Sequence, residues 1–154
     1  MRSIQLFLCL LVISCSGQKG VPQDKAHSSL QKSGELQLVL ADNYSGVEQS
    51  EFQVVRDAKT LKNFFLQINR TRKPGLPIPE VDFGKELLLI YCAGITSGVG
   101  GAELLLIKVS QDSIVVGPKD LTPSKKEITY VTTTPFSIYK IPNTPKEISF
   151  QQLK

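Results

Sequence analysis

Catalysis near neutral pH needs a base, an activated nucleophile or a cluster of metal ligands, and this chain is poor in all three. It has one histidine, His27, and three cysteines, Cys9, Cys15 and Cys92. A Ser–His–Asp or Cys–His site requires a base within hydrogen-bond reach of the nucleophile. His27 stands in a polar N-terminal stretch, and residues 34–154 contain no histidine. Zinc sites draw on several His and Cys side chains, so Cys92 alone implies no metal. No G-x-x-x-x-G-K-[ST] phosphate loop and no alternating Asp/Asn calcium loop occurs, and no cofactor is expected. Four carboxylates close in sequence, Glu80, Asp82, Glu86 and Glu103, are the remaining acid–base candidates. Hydrolysis of sugars by such groups needs two acids placed across a cleft; four carboxylates in a β-rich chain read as a solvated face. The expectation is a protein that is not an enzyme.

Cys15 carries a different chemistry. Met1-Arg2-Ser3 gives a positive start, Ile4 to Ile13 is apolar except for Gln5, and small Ser14 directly precedes Cys15. This is the layout of a secretory signal. The run is shorter than the roughly 20 residues that span a bilayer. A cysteine at the boundary resembles a bacterial lipobox, in which the chain is cut before a Cys that carries diacylglycerol and further acyl chains such as palmitate. Two or three chains anchor firmly, because each buried methylene contributes about 0.8 kcal/mol. The rival is an ordinary secretory signal cut nearby, which the sequons at Asn43 and Asn69 would suit. On the lipobox reading, residues 1–14 are a signal peptide, Cys15 is lipidated, and the protein belongs to the bacterial cell envelope. Ser16-Gly17-Gln18-Lys19-Gly20 carries no acidic cluster of the kind that resembles a surface-export tag, so an outer-membrane anchor facing the periplasm is expected.

The charge of the chain is +4 with a hydrophobic fraction of 41%. The basic residues form no dense cluster: Lys125-Lys126 is followed at once by Glu127. Nucleic-acid binding would need a basic stripe with reading elements, and none is expected. Residues 15–33, rich in Gly, Ser, Gln and Lys, read as a flexible tether. Residues 34–154 have the length of one domain that can bury a core without disulfides. Once Cys9 leaves with the signal and Cys15 takes lipid, only Cys92 remains, a buried and inert thiol in the apolar run Leu87 to Ala93.

Glu35 to Leu40 and Glu51 to Arg56 read as two strands of a hairpin around the turn cluster Asp42 to Gly46. Asp57 can cap a helix. Leu61, Phe64, Phe65 and Ile68 share one face at i, i+3, i+4 and i+7, so an amphipathic core helix is predicted near residues 58–70. Pro74 to Pro79 ends it. Glu86 to Ala93 is apolar on both faces, as a central strand would be. Ala102 to Ser110 and Ser113 to Gly117 form a hairpin about Gln111-Asp112. Glu127 to Thr134, Phe136 to Ile141 and a short edge strand over Ile148 to Leu153 complete the pattern. The fold class expected is α+β, mainly β: antiparallel, sandwich-like sheets with one helix.

Gly94, Gly98, Gly100 and Gly101, with Ile95, Thr96, Ser97 and Val99, form a loop with more glycine than a hairpin turn needs. It lacks the Lys and following helix of a phosphate cradle. One reading is a wide or bulged turn. The other is a partner-contact loop made by Gly94, Thr96, Ser97, Gly98, Val99, Gly100 and Gly101.

The stretch Glu80-Val81-Asp82-Phe83-Gly84-Lys85-Glu86-Leu87-Leu88-Leu89-Ile90 resembles the entry into a strand in the PrcB-like domain family, named for a protease complex subunit. The order continues through the glycine turn, Leu106-Ile107-Lys108-Val109, Gln111-Asp112-Ser113 and Pro118 and Pro123. It closes on Thr134-Pro135-Phe136-Ser137-Ile138-Tyr139-Lys140-Ile141-Pro142, so the likeness covers about residues 80–142. One departure is Ala102, where the family usually places an aromatic after the paired glycines; a partner contact made there would be altered. The resemblance implies a secreted, non-catalytic accessory protein that stabilises a protease complex. Two further readings stand beside it. One is a protease-inhibitor-like module using the Gly94–Gly101 loop; the other is a purely structural envelope lipoprotein.

Overall fold

The computed structural model describes residues 36–98, 101–119 and 131–152. The signal, Cys15 and the tether lie outside the described residues, as do Val99, Gly100 and residues 120–130, which include the first four residues, Glu127 to Tyr130, of the expected strand Glu127 to Thr134. Among the described residues nine strands and one helix follow in the order β1 Gln37–Asp42, β2 Glu51–Val55, α1 Ala58–Ile68, β3 Glu86–Cys92, β4 Thr96–Ser97, β5 Leu104–Val109, β6 Ser113–Pro118, β7 Thr132–Thr133, β8 Phe136–Pro142 and β9 Glu147–Phe150.

The centre belongs to the two strands that are apolar on both faces. β3 and β8 pair antiparallel from Glu86↔Pro142 to Cys92↔Phe136. Side chains alternate across a strand, so this pair feeds two cores. Leu88, Ile90, Cys92, Phe136 and Ile138 meet Leu61, Phe64, Phe65 and Ile68 of α1 on one face. Leu87, Leu89, Tyr91, Tyr139 and Ile141 meet Leu104, Ile114 and Val116 on the other. The architecture is therefore helix on four-stranded sheet on three-stranded sheet, an α+β fold that is mainly β.

The helix forms where its apolar spacing places it. Asp57 caps it, accepting from Thr60 N at 2.8 Å and Thr60 Oγ1 at 2.8 Å. Asn69 stops it, and its side-chain amide pairs with both backbone groups of Leu76 at 2.8 Å each, closing the return loop.

The expected hairpin between the first two strands does not form. The four-stranded sheet runs β1-β8-β3-β2, with β1 and β2 on opposite edges. β8 and β3 have two apolar faces to bury and take the interior, which displaces the half-polar strands outward. The link between β1 and β2 crosses the sheet end, held by Thr134 N to Asn43 O at 2.9 Å and Ser45 N to Thr134 O at 2.7 Å.

The second sheet runs β5-β6-β9. β5 and β6 are the expected hairpin, closed at Gln111-Asp112 by Ser110 N to Ser113 O at 2.8 Å. β9 departs from the antiparallel expectation: it lies parallel to β6. The segment Asn143 to Lys146 reverses the chain after β8, and Phe150 then stacks on Phe52 with centroids 5.2 Å apart. Burial of that aromatic fixes the strand direction.

Candidate binding surface

The glycine loop is built into the frame. Gly94 has φ +80°, and a Cβ there would meet Glu48 O and Ser50 N, each at 2.9 Å. Its freedom serves a close backbone crossing. Ile95 N donates to Glu48 O at 3.0 Å. Thr96 and Ser97 form the short strand β4 against Thr132 and Thr133 of β7. Thr133 Oγ1 donates to Gly98 O at 2.7 Å, so the 2.9 Å contact with Thr96 is a bond that Thr96 donates. Gly98, with φ +94°, donates its N–H to Val131 O at 2.6 Å. Of the loop residues expected at a contact, Ser97 and Gly101 are exposed, Thr96 is half-buried, and Gly94 and Gly98 are buried. Val99 and Gly100 lie outside the described residues.

Ala102 is buried in the second core and its carbonyl accepts from Ser137 Oγ. That position is a packing position. The other landmarks of the PrcB-like resemblance are also structural. Asp82 turns the chain into β3, with Lys85 N and Glu86 N donating to its carbonyl at 2.8 and 2.9 Å. Phe136 is fully buried, edge-on to Phe64 at 5.6 Å.

The carboxylates do not converge. Asp82 pairs with Lys85 at 2.9 Å, Glu86 with Lys140 at 2.8 Å, and Glu103 with Lys119 at 2.7 Å. Lys85 holds the exposed Asp82 carboxyl below its ordinary value, with help from the Gly84 N–H. Cys92 is buried, and that burial pushes its thiol pKa up to about 11, a Ser45 hydrogen bond opposing. A thiol so shifted is a poor nucleophile. Among the described residues no group of three His, Cys, Asp or Glu side chains is arranged to hold a metal ion.

An uncovered apolar row on β5 is a feature the sequence did not single out. In β5 only Leu104 is buried; Leu105 (44%), Leu106 (36%), Ile107 (39%) and Val109 (45%) are all exposed. β5 is an edge strand whose only partner among the described residues is β6. A bulge between Leu106 and Lys108 twists it. A groove of about 220 Å³ lies beside it, lined by Leu106, Val109, Ile114, Ile141, Pro142 and the segment to Lys146. Lys146, part of that lining, donates from Nζ to Ser110 O at 2.6 Å. The signal lay in Leu104-Leu105-Leu106-Ile107, an unbroken apolar run like that of β3. In β3 both faces are covered; in β5 only Leu104 reaches a core.

A second concavity of about 390 Å³ lies between the β1–β2 link and the chain after α1, lined by Tyr44, Gly46, Gln67, Arg70, Arg72 and neighbours. Its guanidinium at Arg72 is already engaged by Asp42 and the Tyr44 carbonyl. Burial alone would raise the Asp42 pKa, but the Arg72 hydrogen bond, the Tyr44 N–H and the Arg72 charge outweigh it and hold the carboxyl below its usual value.

Comparison with known proteins finds no matching family model, no matching curated protein and no matching solved structure.

Proposed function

We propose that this chain is a non-catalytic, lipid-anchored bacterial envelope protein that binds a protein or peptide partner. Cys15 carries the anchor, residues 15–33 give reach, and the folded domain makes the contact. The observation that carries the binding role is the row of exposed apolar side chains on β5, beside an open groove. Contiguous exposed apolar surface on a soluble domain marks an interaction site, and a long apolar edge strand left open invites pairing unless it is used. The glycine loop supports the same end of the argument less strongly, because most of its polar groups are spent internally. The ordered likeness of residues 80–142 to PrcB-like domains makes a secreted protease complex the first partner class to test.

The test has two parts. Metabolic labelling with radioactive palmitate should mark the wild-type protein and not Cys15→Ala; equal labelling of both overturns the anchor. Chemical crosslinking on intact membranes should recover a defined partner with wild type and lose it with the paired change Leu105→Lys, Ile107→Lys. Recovery of no partner with wild type overturns the binding role.

A further inference from the structure

We infer that β5 receives an extended segment of the partner protein as a fourth strand of the second sheet; this rests on the binding role proposed above and names its mode. Three observations carry it.

The first is the direction of the backbone groups on β5. Lys119 N donates to Glu103 O at 2.8 Å and Ser110 N to Ser113 O at 2.8 Å. Antiparallel strands alternate between residues that bond the partner and residues that face away. With the bulge between Leu106 and Lys108, the alternation turns Glu103, Leu105, Lys108 and Ser110 toward β6, and Leu104, Leu106 and Val109 outward. Tyr139 Oη stands 3.4 Å from Leu104 N and accepts from it. The outward groups of Leu106 and Val109 meet no other described strand, and they are what an added strand would bond.

The second is the width of the gap. Phe150 of β9 packs on Phe52 of β2 and Tyr91 of β3. The Leu104–Tyr139 contact puts β5 over β8. The three-stranded sheet therefore covers β2, β3 and β8; Leu36, just before β1, packs on the second core, and no described strand lies over β1 itself. Leu38, which pairs with Tyr139 and shares its face, is 53% exposed. Neighbouring strands are about 4.8 Å apart, so the width that the described strands leave uncovered is that of one strand.

The third is what fits that width. A second copy pairing β5 to β5 would bring its own overhanging β1 into the space held by this one. A single extended chain meets no such obstacle. The side chains it turns inward would lie over Leu38, Leu106, Val109 and Ile141, so the ligand is an extended segment with apolar residues at alternate positions.

A photo-crosslinking amino acid is placed at 105, 107, 97 or 66 in the full chain in its own cells, and adducts are mapped by mass spectrometry. The expected result is adducts from 105 and 107 on one segment of one partner, at residues two apart, with none from 66 on the helix. Leu106→Pro removes an outward N–H without touching a bond to β6, a substitution edge strands accept, and should lower adduct yield at least tenfold. Leu106→Lys, which keeps the backbone intact, should also lower it, with a melting curve showing each variant folded. Adducts from 97 alone overturn strand addition and leave the binding role standing. Adducts to this same chain, or to a partner helix, overturn strand addition. No adduct from any position overturns both.

Discussion

Replacing Gly94 by alanine separates a structural glycine from a contact glycine, and Gly46 supplies the control. Both have positive φ, +72° at Gly46 and +80° at Gly94. Alanine in that region costs about 1–2 kcal/mol at either position. The surroundings differ. A Cβ at Gly46 meets nothing within 4 Å, whereas at Gly94 it meets Glu48 O, Ser50 N and Gln49 C at 2.9–3.0 Å. Those are backbone atoms of the crossing link, which cannot swing aside as a side chain can. Forcing a methyl into a filled site adds about 1–3 kcal/mol. Gly46→Ala should therefore lose about 1–2 kcal/mol and Gly94→Ala about 2–5 kcal/mol. For a domain of this size each kcal/mol moves Tm by about 3–6 °C. Thermal unfolding followed by circular dichroism should place Gly94→Ala below Gly46→Ala, and both below wild type. If the two variants melt together, the close crossing of residues 48–50 over Gly94 is wrong. If Gly94→Ala melts like wild type yet loses its partner, Gly94 is a contact residue.

Two further outcomes follow from the half-buried Asp42 and the buried Cys92. The Asp42 carboxyl is held below the ordinary aspartate value when folded, so its contribution is complete above that ordinary value and is lost as pH falls through the folded pKa. Urea midpoints of wild type and Asp42→Asn, measured from pH 6 downward, should differ most at the upper end and converge in acid; a constant gap refutes the ion pair with Arg72. Cys92, with its thiol pushed up to about 11, should resist a disulfide reagent at pH 8 in the folded protein and react fully in denaturant. Equal rates in both would show that the first core is open at β3.

The helix was legible because Leu61, Phe64, Phe65 and Ile68 repeat at its period, and the structure buries those four residues and no others of α1. β3 was legible as a central strand because no polar residue interrupts Leu87 to Cys92. Pairing was less legible. A turn cluster at Asp42 to Gly46 suggests a hairpin locally, but the burial demand of β8, far along the chain, decided where β1 went. The parallel placement of β9 depends on Phe150 finding Phe52 and Tyr91, which no short window displays. The exposed side of β5 was hidden for a similar reason. An apolar run signals that a strand can be buried, while the number of strands in the opposing sheet decides whether it is. The role of Gly94 required knowing what crosses above it.

β3 and β8 serve both cores at once, and this sets an order of assembly. Gln37 meets Lys140 and Glu86 meets Pro142, so neither core closes until β8 has been synthesised. Topologies dominated by such distant pairings fold in about milliseconds to seconds. A nascent chain that ends before Phe136 has the earlier strands and α1 but lacks β8, so β3 keeps an unpaired edge and both cores stay incomplete, and a stalled ribosome would leave that edge free to aggregate.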